Sequence, residues 1–555
     1  MDHQSLLSWL ERPPADRGIR FAVNGSEWDF WSYGSIADST RRVASGLRSL
    51  GIRRDDVVSI VLPAGPGFVA ALFGTMLAGA VPSPLAPPMA FRDLGAYDDH
   101  VAGVLRTARP RLVVTDLKLT DTIGRLARLA DVTSITTIDE VLAGGKDRAG
   151  PARPASLALL QFTSGSSGRA RGVRIGFEAL EANVSAIREW LLMTAEDATA
   201  TWLPVHHDMG LIGCLLTPVV NGSDIWLMQP EQFVHSPVRY LQCFGESGAR
   251  LTAMPAFGLA YIARRVSPAM LEGFDFSQWR AVIVGAERLD AGVFDQFHRL
   301  LAPFGLQRSA ILPAYGLAEA TLAVTALPLF EGWRSVEVRP GPFAIGDAIA
   351  RSDPAADGNA VVGCGRPLAG ATVTVVDERG QPLPHGHVGE IVVRAPSVAS
   401  GYVCADESSS LTSIEAGRLA TGDAGFLLSG ELYVLGRLGD SLKVRGRAVF
   451  AEDIEAALAT AGLPGHRLAV ALGIYEGRPT AVAVLEHPRP GWTEVAEQIL
   501  RRRTDGASVV VAPVGRGAIA RTSSGKPKRR LLWHAFVGGT LVQVATRGAQ
   551  GSDAP

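Results

Sequence analysis

Leu159-Leu160-Gln161-Phe162-Thr163-Ser164-Gly165-Ser166-Ser167-Gly168-Arg169-Ala170-Arg171-Gly172-Val173-Arg174-Ile175 sets a loop of glycines, hydroxyls and guanidiniums between two strand-like runs. Glycines let backbone N–H groups close on an anion, and the hydroxyls and arginines add donors, so Thr163 to Gly172 has the chemistry of a phosphate cradle. It is not a P-loop, because no Lys followed by Ser or Thr closes a G-x-x-x-x-G spacing. A plain surface turn has the same composition. So has a Ser/Lys amidase loop, although no lysine stands near this one in sequence. Just beyond it, Phe177, Leu180, Val184, Ile187 and Leu191 recur at helical spacing.

The pattern of strand, polar loop and helix repeats outward from this point. TWLP before His206, DIWLM at 224–228, AVIVG before Ala286 and SAILP before Ala314 are further strand candidates, each ending in a polar loop. The first ~360 residues therefore predict an α/β domain around a mostly parallel sheet, with ligands beyond the carboxyl ends of the strands. From about 360 to 436 the texture is β-rich, as in ATVTVVDERGQPLP, GEIVVRAPS and GELYVLGR. Beyond it, AEDIEAALATA and WTEVAEQILRRR flank a strand pair, which predicts a small α+β domain over 437–545 and a frayed tail at 546–555. The N-terminal domain is accordingly read as 1–436.

At 555 residues and 58.6 kDa, with 47% hydrophobic and 20% charged residues, the chain is globular and multidomain, not disordered or fibrous. Its net charge of −1 offers no global field for nucleic acid or an acidic membrane. Cys214, Cys243, Cys364 and Cys404 lie far apart without a C-x-x-C pair, so neither a disulfide framework nor a cysteine zinc site is expected. The beginning MDHQSLLSWLERPP lacks the basic-then-apolar form of a secretory signal, and a cytoplasmic setting is expected. The uncharged run Phe68 to Phe91 carries Pro82, Pro84, Pro87 and Pro88 and reads as a buried helix followed by a loop, with no stable membrane insertion.

Several loops carry chemistry. His206, His207 and Asp208 are adjacent, and neighbours on an extended chain point apart, so a pocket or core role fits them better than a shared metal. Tyr315-Gly316-Leu317-Ala318-Glu319 follows a strand, where an aromatic face could stack a base and a carboxylate could hold Mg²⁺; a helix start with an acidic first turn is the plain alternative. Thr421-Gly422-Asp423 is a turn whose carboxylate could accept from a ribose diol or simply cap the turn. Only five of the 54 basic residues are lysines, at 118, 146, 443, 526 and 528. The run Arg521 to Arg530 reads as a basic patch, yet a Lys526 retained in so Arg-biased a chain suggests a compact charge delivered into a site.

Taken in order, TSGSSG, HHDMGL, GAE, YGLAEAT, GEI, TGD, GRLGDSLKVRGR and TSSGK resemble the acyl-adenylate-forming superfamily, over about residues 20 to 540. LLQFTSGSSG, WLPVHHDMGLIG, YGLAEATL, APSVASGY and TGDAGFLLSGELYVLGRLGD most resemble the fatty acyl-AMP ligases. That resemblance implies a ligase using ATP and Mg²⁺, which activates a carboxylic acid to acyl-AMP and passes it to the phosphopantetheine thiol of an acyl carrier protein. Acyl-CoA ligation and a noncatalytic adenylate-binding homologue are the rival readings. By the same resemblance, Lys526 contacts the α-phosphate and Glu319 holds Mg²⁺. Thr163, Ser164, Gly165, Ser166, Ser167 and Gly168 cradle the departing phosphates; Gly285, Ala286, Glu287, Tyr315 and Gly316 frame adenine. Asp423 and Arg437 bind the ribose, His207 lies where acyl pocket meets nucleotide, and Asp440 is the hinge of a mobile C-terminal domain. Residues 331–361 correspond to an insertion associated in that group with poor use of CoA. Arg171 stands where the superfamily often has Lys, Gly439 where Lys or Asp commonly precedes the hinge, and Ala520 where Pro is frequent. Ala256 replaces an expected Asn in the segment that lines the acyl pocket of relatives, which points to a substrate other than a plain long-chain fatty acid.

Overall fold

The computed structural model describes residues 5–23, 25–88, 94–145, 152–163, 171–339, 343–350, 359–403, 411–444, 447–504, 506–521 and 526–541. Ser164 to Gly168, Cys404 and the tail 546–555 lie outside them. A nine-stranded sheet dominates the large domain. Gly18–Ala22, Ile225–Leu227, Thr199–Thr201, Leu251–Met254, Ala281–Val284 and Ile311–Gly316 run parallel, and antiparallel strands close both edges. Because neighbouring strands are parallel, their carboxyl ends share one rim. That rim carries the loops beginning at Trp202, Pro255, Gly285 and Leu317, which is why segments far apart in sequence meet.

A second, four-stranded parallel sheet is built from Val57–Val61, Val81–Pro84, Leu112–Thr115 and Ile135–Thr137. It corrects one expectation: the proline-rich run after the buried helix Pro66–Leu77 is not all loop, since Val81–Pro84 is a fully buried strand. Val81–Pro84 is an edge strand with a single neighbour, the place in a sheet where missing proline N–H groups are tolerated.

The runs on either side of the Gly/Ser-rich loop, Leu159–Thr163 and Arg171–Ile175, pair antiparallel and are followed by the helix Phe177–Trp190. The apolar run Met209–Leu216 forms a wide π-helical segment wedged between two cores. Leu211, Ile212, Leu215 and Leu216 pack on one side, and Cys214 packs into the other with Trp202 and Trp279. A helix apolar all round is what burial on all sides requires. Each such fully buried large side chain contributes about 1.5–3 kcal/mol.

The β-rich region forms a five-stranded antiparallel sheet in which Arg418–Leu428 pairs with Glu431–Arg437. After Asp440 come a hairpin, Ser441–Val444 with Arg447–Phe450, and a three-stranded sheet of Leu468–Tyr475, Arg478–Glu486 and Ser508–Val514. Ala451–Thr460, Trp492–Thr504 and Arg529–Val537 are the helices of this smaller α+β domain. Within the 331–361 segment, Ser335–Val338 pairs with Asn359–Val362, and Val338 and Val361 pack with Phe426, Leu435, Ala448 and Phe450. Phe343 donates its backbone N–H to Ala448 O (2.9 Å) and accepts from Ala448 N, so this segment is hydrogen-bonded to the first hairpin of the smaller domain.

Candidate active site

Asp423 and Arg437 face each other across the register of their hairpin, an arrangement that favours opposite charges. Arg437 Nε lies 3.1 Å from Asp423 Oδ1, and the Tyr315 hydroxyl donates to Asp423 Oδ2 at 2.7 Å. Asp423 holds the Arg437 guanidinium firmly charged, while burial and then the same carboxylate push the Tyr315 phenol far above its ordinary range. Each carboxylate oxygen of Asp423 keeps a second lone pair, which suits a diol.

Gly285, Ala286, Tyr315 and Gly316 are among the residues that line a cavity partly open to solvent. A Cβ on Gly316 would sit 1.9 Å from Leu322 O, and one on Gly285 would sit 2.9 Å from Ala314 O, so neither position takes a side chain without moving backbone. Ala286 adopts a left-handed backbone (φ 68°), strain of the kind stored at ligand sites. Met209, Cys214, Leu251, Ile187 and Trp190 line the same cavity. Burial lifts the Cys214 thiol to about 11, which makes it an apolar wall and not a nucleophile.

Glu319 is buried, and its Oε1 accepts from the Tyr402 hydroxyl at 2.8 Å. One carboxylate fits an Mg²⁺ carried in by a nucleotide, because that ion keeps its waters and phosphate oxygens and takes few protein ligands. Among the described residues there is no cluster of three or more His, Cys, Asp or Glu that would hold a metal unaided. His207 lies at the start of the π-helical segment, with its ring 4.7 Å from that of His206; the cavity itself is lined by the next residues, Asp208 and Met209.

Glu287 follows the strand Ala281–Val284 at the same rim. Its Oε1 accepts from Phe257 N at 2.8 Å, closing the exposed N-terminus of the helix Ala256–Arg265, which has no side-chain cap of its own. A carboxylate there also meets the positive end of the helix dipole.

Lys526, an exposed residue of the smaller domain, lies within electrostatic reach of Asp208, Glu287 and Asp423. Its side chain keeps contact with solvent, yet enclosing protein and then the Arg437 charge pull its pKa below the ordinary lysine value, against the opposing fields of Glu287, Asp423 and Asp208. The same charge reaches Asp208, whose carboxyl is raised first by burial. Arg529 is ion-paired with Asp440 (3.4 Å), Glu452 (2.8 Å) and Glu455 (2.7 Å). Burial pushes Glu452 up to about 7 despite that arginine. Arg288, one residue beyond Glu287, pairs with Asp453 of the smaller domain, and both side chains are nearly buried. The sequence pattern did not single out Tyr402, Arg288, Asp453 or Arg529. Their partners lie 74 or more residues away, beyond any local spacing.

Lys526 of the smaller domain thus lies within electrostatic reach of Asp208, Glu287 and Asp423 of the larger one, and Asp208 also lines the apolar cavity. Residues 9–403 match the AMP-binding enzyme family. The chain belongs to that family. This AMP-binding enzyme is 31% identical to the 4-hydroxyphenylalkanoate adenylyltransferase of Mycobacterium tuberculosis, covering 87% of this chain and 83% of that one. It is 30% identical to the medium-chain-fatty-acid–[acyl-carrier-protein] ligase JamA of Moorena producens, over 96% and 94%. A structure from a study of fatty acyl-adenylate ligases of E. coli and L. pneumophila superposes with a TM-score of 0.87 at 25% identity, covering 97% of this chain and 98% of the other. The AMP-binding enzyme is accordingly an adenylate-forming ligase that activates an acid. No helix among its described residues is long and apolar enough to cross a membrane.

Proposed function

We propose that this AMP-binding enzyme activates a medium-chain or aryl-substituted carboxylic acid as acyl-AMP and loads it onto the phosphopantetheine thiol of an acyl carrier protein. A carboxylate oxygen attacks the α-phosphorus of ATP, the bond to the bridging oxygen breaks, and pyrophosphate leaves. Negative charge grows at the crowded phosphorus, so a preorganised cation there lowers the barrier most. Lys526 is that cation, and the observation that carries the reading is Asp423 held between Arg437 (3.1 Å) and Tyr315 (2.7 Å) beside the cavity that Tyr315 lines. Asp423 and Arg437 would take the ribose, the slot at Gly285, Ala286, Tyr315 and Gly316 the adenine, and Thr163 with the following loop the phosphates. Glu319 would hold Mg²⁺, which when bound neutralises phosphate charge. His207 would stand beside the carboxylate end of the acyl cavity.

The apolar lining from Met209 to Trp190 supports an apolar acyl chain. For the second step, the smaller domain would turn about Asp440, withdrawing Lys526 and admitting a thiol. Carrier loading is favoured over CoA by the backbone pairing of Phe343 with Ala448, which ties the inserted segment to the domain that must move. The test is ATP with a panel of medium-chain and arylalkanoic acids, followed by separate addition of a phosphopantetheinylated carrier and of CoA. Acyl-AMP that passes to the carrier at least tenfold faster than to CoA is expected; equal rates would make this an acyl-CoA ligase, and no adenylate from any acid would overturn the proposal.

A further inference from the structure

Glu319 and the strand that follows the phosphate loop belong to different parts of the chain, yet one short segment clamps them together. Tyr402–Val403 pairs antiparallel with Arg171–Ile175, with Tyr402 opposite Val173 and Val403 opposite Gly172. Arg174 and Ser400 exchange backbone bonds with this segment: Arg174 N donates to Gly401 O and Ser400 N to Arg174 O, each at 2.9 Å. From the other side, Ala399 N donates to Glu319 O (2.9 Å) and Thr321 Oγ1 to Ser397 O (2.6 Å). Tyr402 stands between the two. Its hydroxyl donates to Glu319 Oε1, and the Arg171 guanidinium lies over its ring, 3.4 Å from the centroid.

We propose that Tyr402 is a positioning residue for adenylation, whose hydroxyl aims the Glu319 carboxylate at the nucleotide's metal and whose ring holds Arg171 at the phosphate end of the same site. This rests on the adenylation reading above and adds to it the part that sets the carboxylate. A carboxylate with one oxygen engaged by a fixed donor loses rotational freedom and presents its other lone pairs in one direction, which is how outer hydrogen bonds tune metal ligands. A guanidinium can lie flat on a phenol ring where an ammonium cannot, so an arginine at position 171 makes a stack that lysine would not reproduce. The phenol stays protonated and donating, since burial and then Glu319 both raise its pKa.

Tyr402→Phe removes the donor and keeps the ring. Mn²⁺ affinity in the presence of ATP, read by electron paramagnetic resonance, is expected to weaken about tenfold or more. The Mg²⁺ concentration for half-maximal acyl-AMP formation should rise in parallel, while the KM for the acid and the melting temperature hold. In a cycle with Glu319→Gln, the Tyr402→Phe effect on Mn²⁺ affinity should vanish, because it acts through that carboxylate. Arg171→Lys should raise the KM for ATP without changing that for the acid. Unchanged Mn²⁺ affinity in Tyr402→Phe, or an equal loss on the Glu319→Gln background, overturns the proposal. The Mn²⁺–ATP measurement needs no acid, so failure of the wild-type enzyme to adenylate any acid would strike the proposed function and leave this assignment standing.

Discussion

Lys526 shows how far composition can speak for one residue. In a chain where 49 of 54 basic residues are arginine, a lysine after a Ser/Gly loop asks for a site, and the fold brings it to Asp208, Glu287 and Asp423. Lys526→Ala should slow acyl-AMP formation by roughly 10²–10³-fold, the scale for removing one preorganised charge-stabilising donor, while the melting temperature stays within a degree or two. Measuring pyrophosphate release checks this; a rate equal to wild type would remove lysine from the chemistry. Because enclosure and Arg437 lower its pKa, the charged form is lost at lower pH than for a free lysine, so kcat/KM for ATP should fall on the alkaline side below about 10.4. Lys526→Arg stays charged throughout and should abolish that limb. Glu319 does follow a strand in a loop, but Tyr315 lies within Ile311–Gly316, and Asp423, expected in a turn, lies within Arg418–Leu428, because its ladder partner Arg437 is invisible to a local reading. The bond that Glu287 accepts from the N-terminus of the helix at Ala256 had no signal in the sequence.

At the scale of elements, periodicity located the helices Phe177–Trp190, Ala451–Thr460 and Trp492–Thr504 and most of the strands. It misread Val81–Pro84, because proline looks like a loop signal until an edge position is known. Contacts between elements of the two domains had no sequence signal at all. The Arg288–Asp453 pair links the loop after Ala281–Val284 to the helix Ala451–Thr460, and both charges are largely withdrawn from water. Removing one partner leaves the other unpaired in a poorly solvated place. Arg288→Asp and Asp453→Arg should each slow adenylation about tenfold, ~1.4 kcal/mol of lost positioning. The double exchange should recover most of the loss, and a double variant no better than either single would exclude the pair from setting domain orientation. Replacing residues 335–361 with a short linker removes the Phe343–Ala448 pairing; CoA thioester formation should then rise relative to carrier loading, and an unchanged ratio would detach the inserted segment from acceptor choice.

Over the whole molecule the near-zero net charge conceals a division. Residues 1–436 hold 37 basic and 45 acidic groups, net −8, and residues 437–545 hold sixteen and nine, net +7. Opposite charges on facing domains draw them together and are screened within ~10 Å at 0.1 M salt. Raising NaCl from about 50 mM to about 500 mM should therefore slow acyl-AMP formation, which in the proposed mechanism needs Lys526 docked, more than it changes the melting temperature. A rate insensitive to salt would show that short-range contacts alone hold the domains. The chain's order of strands, loops and helices, its apolar patterning and the residue types able to hold a nucleotide are one-dimensional properties, and the amino-acid sequence determined them unaided. Which carboxylate faces which cation, which apolar residues line the cavity, and how Tyr402 joins Arg171 to Glu319 depend on contacts between segments tens to hundreds of residues apart. Only packing in three dimensions decides those, because parallel strands bring distant loops to one rim and local propensity carries no information about the partner across the gap.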